Sequence, residues 1–61
     1  MLLRQRIERH LKRTRMTPTR FGREVVGDSH FVSDLREGRE LRERTYVRVK
    51  AWLDRHEAGR R

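Results

Sequence analysis

The stretch FGREVVGDSHFVSDLREGR, residues 21–39, is punctuated by Gly22, Gly27 and Gly38. Glycine takes the left-handed backbone conformation at no steric cost, so Gly27 and Gly38 read as helix stops. Between them lies a segment that is apolar on one side (Phe31, Val32, Leu35) and small and polar on the other (Ser29, His30, Ser33). A helix this short is not stable alone in water. It must be held by the elements around it, and its outer face lacks the Glu and Lys of an ordinary solvated surface.

The preceding segment is marked just as clearly. Thr17-Pro18 is a helix start: the threonine caps free N–H groups, and proline suits the first helical position. A helix is expected over 18–26, with Phe21 and Val25 on one face and Gly22 beside them. Asp28 is expected to cap the next helix, over 29–37. Two helices joined by a tight turn around Gly27, with apolar faces that must meet, make a helix-turn-helix arrangement.

The flanks supply the rest of the core. Leu3, Ile7 and Leu11 recur every four residues, which predicts a helix over 2–14 with one buried side and three wet ones. Tyr46, Val49, Trp52, Leu53 and His56 stand at helical spacing, which predicts a helix over 43–57. Residues 39–44 are ambiguous, with Leu41 packing inward from a loop, and 58–61 should fray. Phe21, Phe31, Tyr46 and Trp52 are read as core. The expectation is an all-α fold, a compact four-helix bundle, or five with a short extra turn, forming one domain over 1–61.

A chain of 61 residues buries only about 60% of its unfolded surface. It has no cysteine, so neither a disulfide framework nor a thiolate metal site can reinforce it. His10, His30 and His56 lack paired ligand spacing, so no metal is expected, and no cofactor either. An enzyme is not expected. Asp28, Ser29 and His30 are consecutive and would fan out around a helix axis, and no pair of carboxylates shares an apolar cleft.

Charge points to the partner. Lys and Arg number 17 against 9 acids, net +8, and 15 of the 17 are arginine. Arginine forks onto phosphate bidentately and is weakly hydrated, which suits a polyanion. The charge is uneven: residues 1–15 carry net +5, residues 16–38 net −1 and residues 39–61 net +4. A near-neutral centre thus sits between basic flanks. No apolar run is long enough for a membrane span, and Met1-Leu2-Leu3 runs directly into Arg4, Gln5 and Arg6, so no signal-peptide core is read. The first helix is basic and amphipathic, but its apolar face is thin and lacks an aromatic for a membrane surface. A cytoplasmic, nucleoid-associated location is expected.

The segment TPTRFGREVVGDSHFVSDLREGR, residues 17–39, resembles the helix-turn-helix core of the lambda-repressor-like (Cro-type) DNA-binding domains. In that family a small residue in the first motif helix lets the second cross closely, and Gly22 matches it. Apolar residues lock the pair, as Val32 and Leu35 would, and Gly38-Arg39 matches the glycine and basic residue that follow. The chain departs at the turn, where the family's glycine falls at Val26 and Gly27 comes one residue later, which shifts the turn and the aim of the following helix.

The resemblance implies a transcription regulator of the bacterial or phage kind, with the second motif helix in the major groove of double-stranded DNA. Mapped onto this chain, the base-reading residues are Ser29, His30, Ser33 and Asp34, with Glu37 a turn further on. Serines and a neutral histidine can donate or accept, and Asp34 can accept from a cytosine amino group. Phosphate contacts fall to Thr17, Thr19, Arg20, Arg23, Arg36, Arg39, Arg42 and Arg44. A homodimer would place two reading helices about 34 Å apart on one face of the duplex. The surface for such pairing is the last helix, around Tyr46, Lys50, Trp52 and Leu53.

The acids Asp28, Asp34 and Glu37 support a competing reading. The same fold can serve as a protein-interaction module, an antirepressor or an RNA polymerase adaptor. Single-stranded RNA binding is weaker, because the aromatics it would stack on are read as core.

Overall fold

The computed structural model describes residues 2–58, which form four helices: α1 (Leu3–Thr14), α2 (Pro18–Val26), α3 (Phe31–Arg36) and α4 (Glu43–Ala58). Residues 59–61, expected to fray, lie outside the described residues. The chain measures 33 × 23 × 22 Å along its principal axes, and no strand occurs among the described residues. No helix among them is long and apolar enough to cross a membrane.

α2 forms where its ends are signalled. Thr17 Oγ1 accepts the Arg20 N–H at 3.1 Å, and Pro18 opens the helix. Gly27 takes φ 74°, and its N–H and that of Asp28 donate back to the Arg23 and Gly22 carbonyls, both at 3.1 Å. This is the left-handed stop expected of a glycine after a helix. Val26, where the resemblance would put the turn glycine, is the last residue of α2 and packs half-buried against the core.

α3 is shorter than the expected 29–37. Its first i→i+4 bond runs from the Asp34 N–H to the His30 carbonyl, at 2.9 Å. Ser29 and His30 instead lie in the turn. Asp28 caps that turn rather than the helix: its Oδ1 accepts the His30 N–H at 2.9 Å, and its carbonyl accepts the Phe31 N–H at 3.1 Å. The turn cannot relax into helix because it is pinned to α2. A Cβ on Gly22 would collide with the Asp28 carbonyl oxygen and lie 3.1 Å from Phe31 Cβ. Only glycine lets the two backbones approach so closely. At the far end Gly38 takes φ 97°, and the Asp34 carbonyl accepts both the Glu37 and the Arg39 N–H at 3.1 Å.

The core joins all four helices through Leu3, Ile7, Leu11, Phe21, Val25, Phe31, Val32, Leu35, Val49 and Leu53. Each fully buried apolar side chain contributes about 1.5–3 kcal/mol. Leu41 and Trp52 pack half-buried against the core, as does Met16. Phe21 is its centre, fully buried, with Phe31 stacked at 6.5 Å and Trp52 edge-on at 5.3 Å. Tyr46, expected in the core, is 44% exposed. α4 packs through Val49, Leu53 and Trp52; Tyr46 stands at i, i+3 and i+7 with Val49 and Leu53, at the edge of that stripe, and is left uncovered. His10 completes the buried stripe of α1, with its ring 5.2 Å from Trp52 and 5.9 Å from Phe21.

Candidate nucleic-acid interface

The outward surface of the α2–α3 unit presents His30 from the turn and Ser33 from α3, both exposed, with Ser29 half-buried beside them. Asp34 is placed differently. It is half-buried, and its carboxylate accepts Arg39 Nη1 at 2.9 Å. Arg39 is therefore tied twice to Asp34, through backbone and side chain, while its guanidinium stays largely exposed.

The cations proposed for phosphate fall into two groups. Arg20 pairs with Glu24 at 3.3 Å, Arg39 with Asp34, and Arg36 with Glu8 of α1 through two bonds of 2.7 and 2.8 Å. Arg23, Arg42 and Arg44 are exposed and make no ion pair among the described residues. Thr19 is exposed in the first turn of α2, whereas the Thr17 hydroxyl already serves as the cap. An exposed pair such as Arg20–Glu24 is weak and opens readily to a phosphate. The Arg36–Glu8 fork is bidentate, and so is a stronger latch.

That latch joins α1 to α3. The Arg36 guanidinium, hydrogen-bonded to Glu8, holds the Glu8 carboxyl below its ordinary value, with Arg4 adding attraction. Glu8 stands out as the one acid among the first 15 residues, but its partner Arg36 lies 28 residues away and sequence spacing does not reveal it. A second set of ion pairs joins α1 to α4. Arg6 donates at 2.7 Å to both Asp54 and Glu57, and Lys50 donates to Asp54 at 3.1 Å. Bonds from Arg6 lower both acids, with Lys50 assisting at Asp54, and the same bonds raise Arg6.

The surface expected for pairing needs correction. Leu53 is fully buried in the core and faces away from solvent. Trp52 is half-buried, stacked on His56 at 3.7 Å with ring planes 19° apart. Tyr46 and Lys50 are exposed, and Val47, which helical spacing alone did not single out, is 57% exposed beside them. No family model, curated protein or solved structure matches the chain.

Proposed function

We propose that the chain is a sequence-selective double-stranded DNA-binding module that acts in transcription regulation. In this reading α2 and α3 form a helix-turn-helix of the lambda-repressor-like kind. His30 and Ser33, with Ser29, meet base edges in the major groove. Arg23, Arg42 and Arg44 meet phosphates on either side, with Arg20 and Thr19 available to join them. The observation that carries the reading is the backbone contact at Gly22. It holds a helix too short to stand alone in a rigid pose, with small polar residues outward and, on its flanks, arginines that make no ion pair among the described residues.

The competing protein-interaction reading drew on the acids Asp28, Asp34 and Glu37. Its support is reduced by the Asp34–Arg39 pair, which neutralises the acid nearest the reading face. Asp34 then acts less as a reader of cytosine than as an anchor for Arg39.

The test is selection from a randomised duplex pool at two salt concentrations, with Ser33→Ala and Arg23→Ala alongside. The reading expects an enriched sequence. Ser33→Ala should relax it at a base position, and Arg23→Ala should weaken binding evenly across sequences and flatten the salt dependence. Salt-sensitive binding without enrichment would leave only the arginine flanks at work. No binding at low salt would discard the reading in favour of a protein partner.

A further inference from the structure

We propose that the groove between α2 and α4 binds an acidic segment of a partner protein, in which one bulky apolar side chain is flanked by carboxylates. The groove has a volume of about 280 Å³ and is lined by Glu24 and Val25 of α2 and by Arg48, Ala51, Trp52 and Arg55 of α4. No residue of α3 lines it, and none of its residues is assigned above to bases or phosphates. Unlike the protein-interaction reading of the acids, this one is carried by cations on another face, and it holds whether or not α3 reads DNA.

The floor and the walls specify the occupant. Val25 is buried, Trp52 is half-buried, and the small side chain of Ala51 leaves room beside them. Arg48 and Arg55 stand seven residues apart, two turns along one face of α4 and about 10 Å from each other along its axis. Both are exposed and make no ion pair among the described residues. An apolar floor between two unengaged guanidinium groups complements an apolar side chain between two carboxylates, which arginine meets bidentately.

The same walls favour a polypeptide over a nucleic acid. Glu24 is held only by Arg20 at 3.3 Å, in an exposed pair, and the Trp52 indole N–H makes no hydrogen bond among the described residues. A peptide backbone offers an N–H to the first and a carbonyl to the second. A DNA backbone brings acceptors alone, and Glu24 repels it. A base finds little ring face to stack on, because His56 covers the indole at 3.7 Å and the His10 and Phe21 rings crowd it at 5.2 and 5.3 Å. Six side chains present far less than the ~800 Å² per partner of a standard interface, so the binding is weak and reversible.

Trp52 is the single tryptophan of the chain, so its emission reports on the groove directly. The probes are short synthetic peptides without tryptophan, carrying Leu, Phe or Gly between paired acids, and a Leu peptide with lysines in place of the acids. Oligothymidylate serves as the single-stranded nucleic acid, and every titration runs to about 1 mM. The acidic Leu and Phe peptides should shift Trp52 emission saturably. The Gly and lysine peptides should bind at least about tenfold more weakly. Arg48→Gln and Arg55→Gln should each weaken the acidic Leu peptide about fivefold. Ala51→Leu, which fills the groove, should weaken it at least about tenfold. Lys12→Gln, which removes an exposed charge from α1, should leave it within about twofold. All four substitutions are at exposed positions, and far-UV circular dichroism checks that each variant is folded. No saturable shift with either apolar acidic peptide, equal binding of the Gly peptide, or an equal loss in Lys12→Gln would each overturn the proposal. Tighter binding of oligothymidylate that Ala51→Leu abolishes would also overturn it, and would give the groove to single strands. The duplex-pool selection contains no peptide, so the DNA reading stands or falls separately.

Discussion

α2 and α3 meet through a close backbone contact, whereas α1, beyond its share of the apolar core, is fixed to its neighbours by ion pairs. At the α2–α3 contact the Asp28 carbonyl lies over Gly22, with Phe31 closing in behind it. Around α1, Arg6 reaches Asp54 and Glu57 on α4, and Glu8 receives Arg36 from α3. Both regions share the apolar core, but their specificity devices differ. Backbone contact is indifferent to salt and pH and intolerant of one added methyl group. Ion pairs respond to both conditions and tolerate substitution. The part proposed to read DNA is therefore held by the device that the salt and charge of a polyanion cannot loosen.

The largest effect should come from the point where both regions meet. Phe21→Ala empties the centre of the core and should cost about 4 kcal/mol. A domain of this size has roughly 3–9 kcal/mol in total, so the variant should be largely unfolded or melt far below the wild type by circular dichroism. A transition near the wild-type temperature would mean that the core can collapse around the missing ring.

Gly22→Ala sharpens the comparison next. The added Cβ must push the Asp28 carbonyl away, which outweighs the roughly 1 kcal/mol that alanine gains in a helix. A net loss of about 2 kcal/mol, or roughly 10 °C in Tm, is expected. It should be the same at low and high salt. An unchanged Tm would show that the turn can slide off α2, and the rigid-pose argument would fall.

The charged region should behave in the opposite way. Glu8, Asp54 and Glu57 are lowered in the folded chain from ordinary values of 4.5, 3.8 and 4.5. Carboxyls depressed on folding contribute stability that is fully present above those ordinary values and lost as pH falls through the lowered ones. Tm should therefore drop as the solution is acidified below about pH 4.5, with Arg6→Gln showing a shallower drop. At neutral pH Arg6→Gln should melt below the wild type in low salt, and the gap should narrow at about 1 M salt. A gap independent of salt would assign Arg6 a packing role instead.

The smallest effect concerns the latch. Glu8→Gln releases Arg36, the last residue of α3, and removes an acid. Non-specific duplex binding should strengthen a few-fold, and the slope of log affinity against log salt should steepen by about 0.9, one further phosphate contact. An unchanged slope would show that Arg36 points away from the duplex.

Legibility in the sequence followed the range of the interactions. The ends of α2 depend on Thr17, Pro18 and Gly27 acting on residues within one turn, and all three act as their chemistry dictates. The start of α3 did not follow from local rules. Asp28 suits a helix cap or a turn three residues before the regular helix begins, and the hydrogen bond to Gly22 decides between those outcomes. Within the candidate site, His30 and Ser33 were visible as polar residues on the outer side of a short apolar segment. The sharing of arginines between free and paired was not, because Arg36 meets Glu8 across 28 residues of chain.

α4 shows the same limit more plainly. Its sequence carries one stripe at helical spacing, through Tyr46, Val49, Trp52 and Leu53, of which Val49 and Leu53 are fully buried and Tyr46 is exposed. Periodicity identifies residues that share a side but not how far neighbouring helices cover it, so spacing alone assigns Tyr46 to the core and leaves Leu53 open to a pairing surface. By itself the sequence determined four helices, a glycine-bounded central pair and a strongly basic balance, because caps, stops and charge act locally or as sums. Only the tertiary structure decided how much of the α4 stripe is covered, that His10 joins the core, and which arginines are engaged. Those outcomes depend on which distant groups reach each other once Gly22 has allowed two backbones to touch.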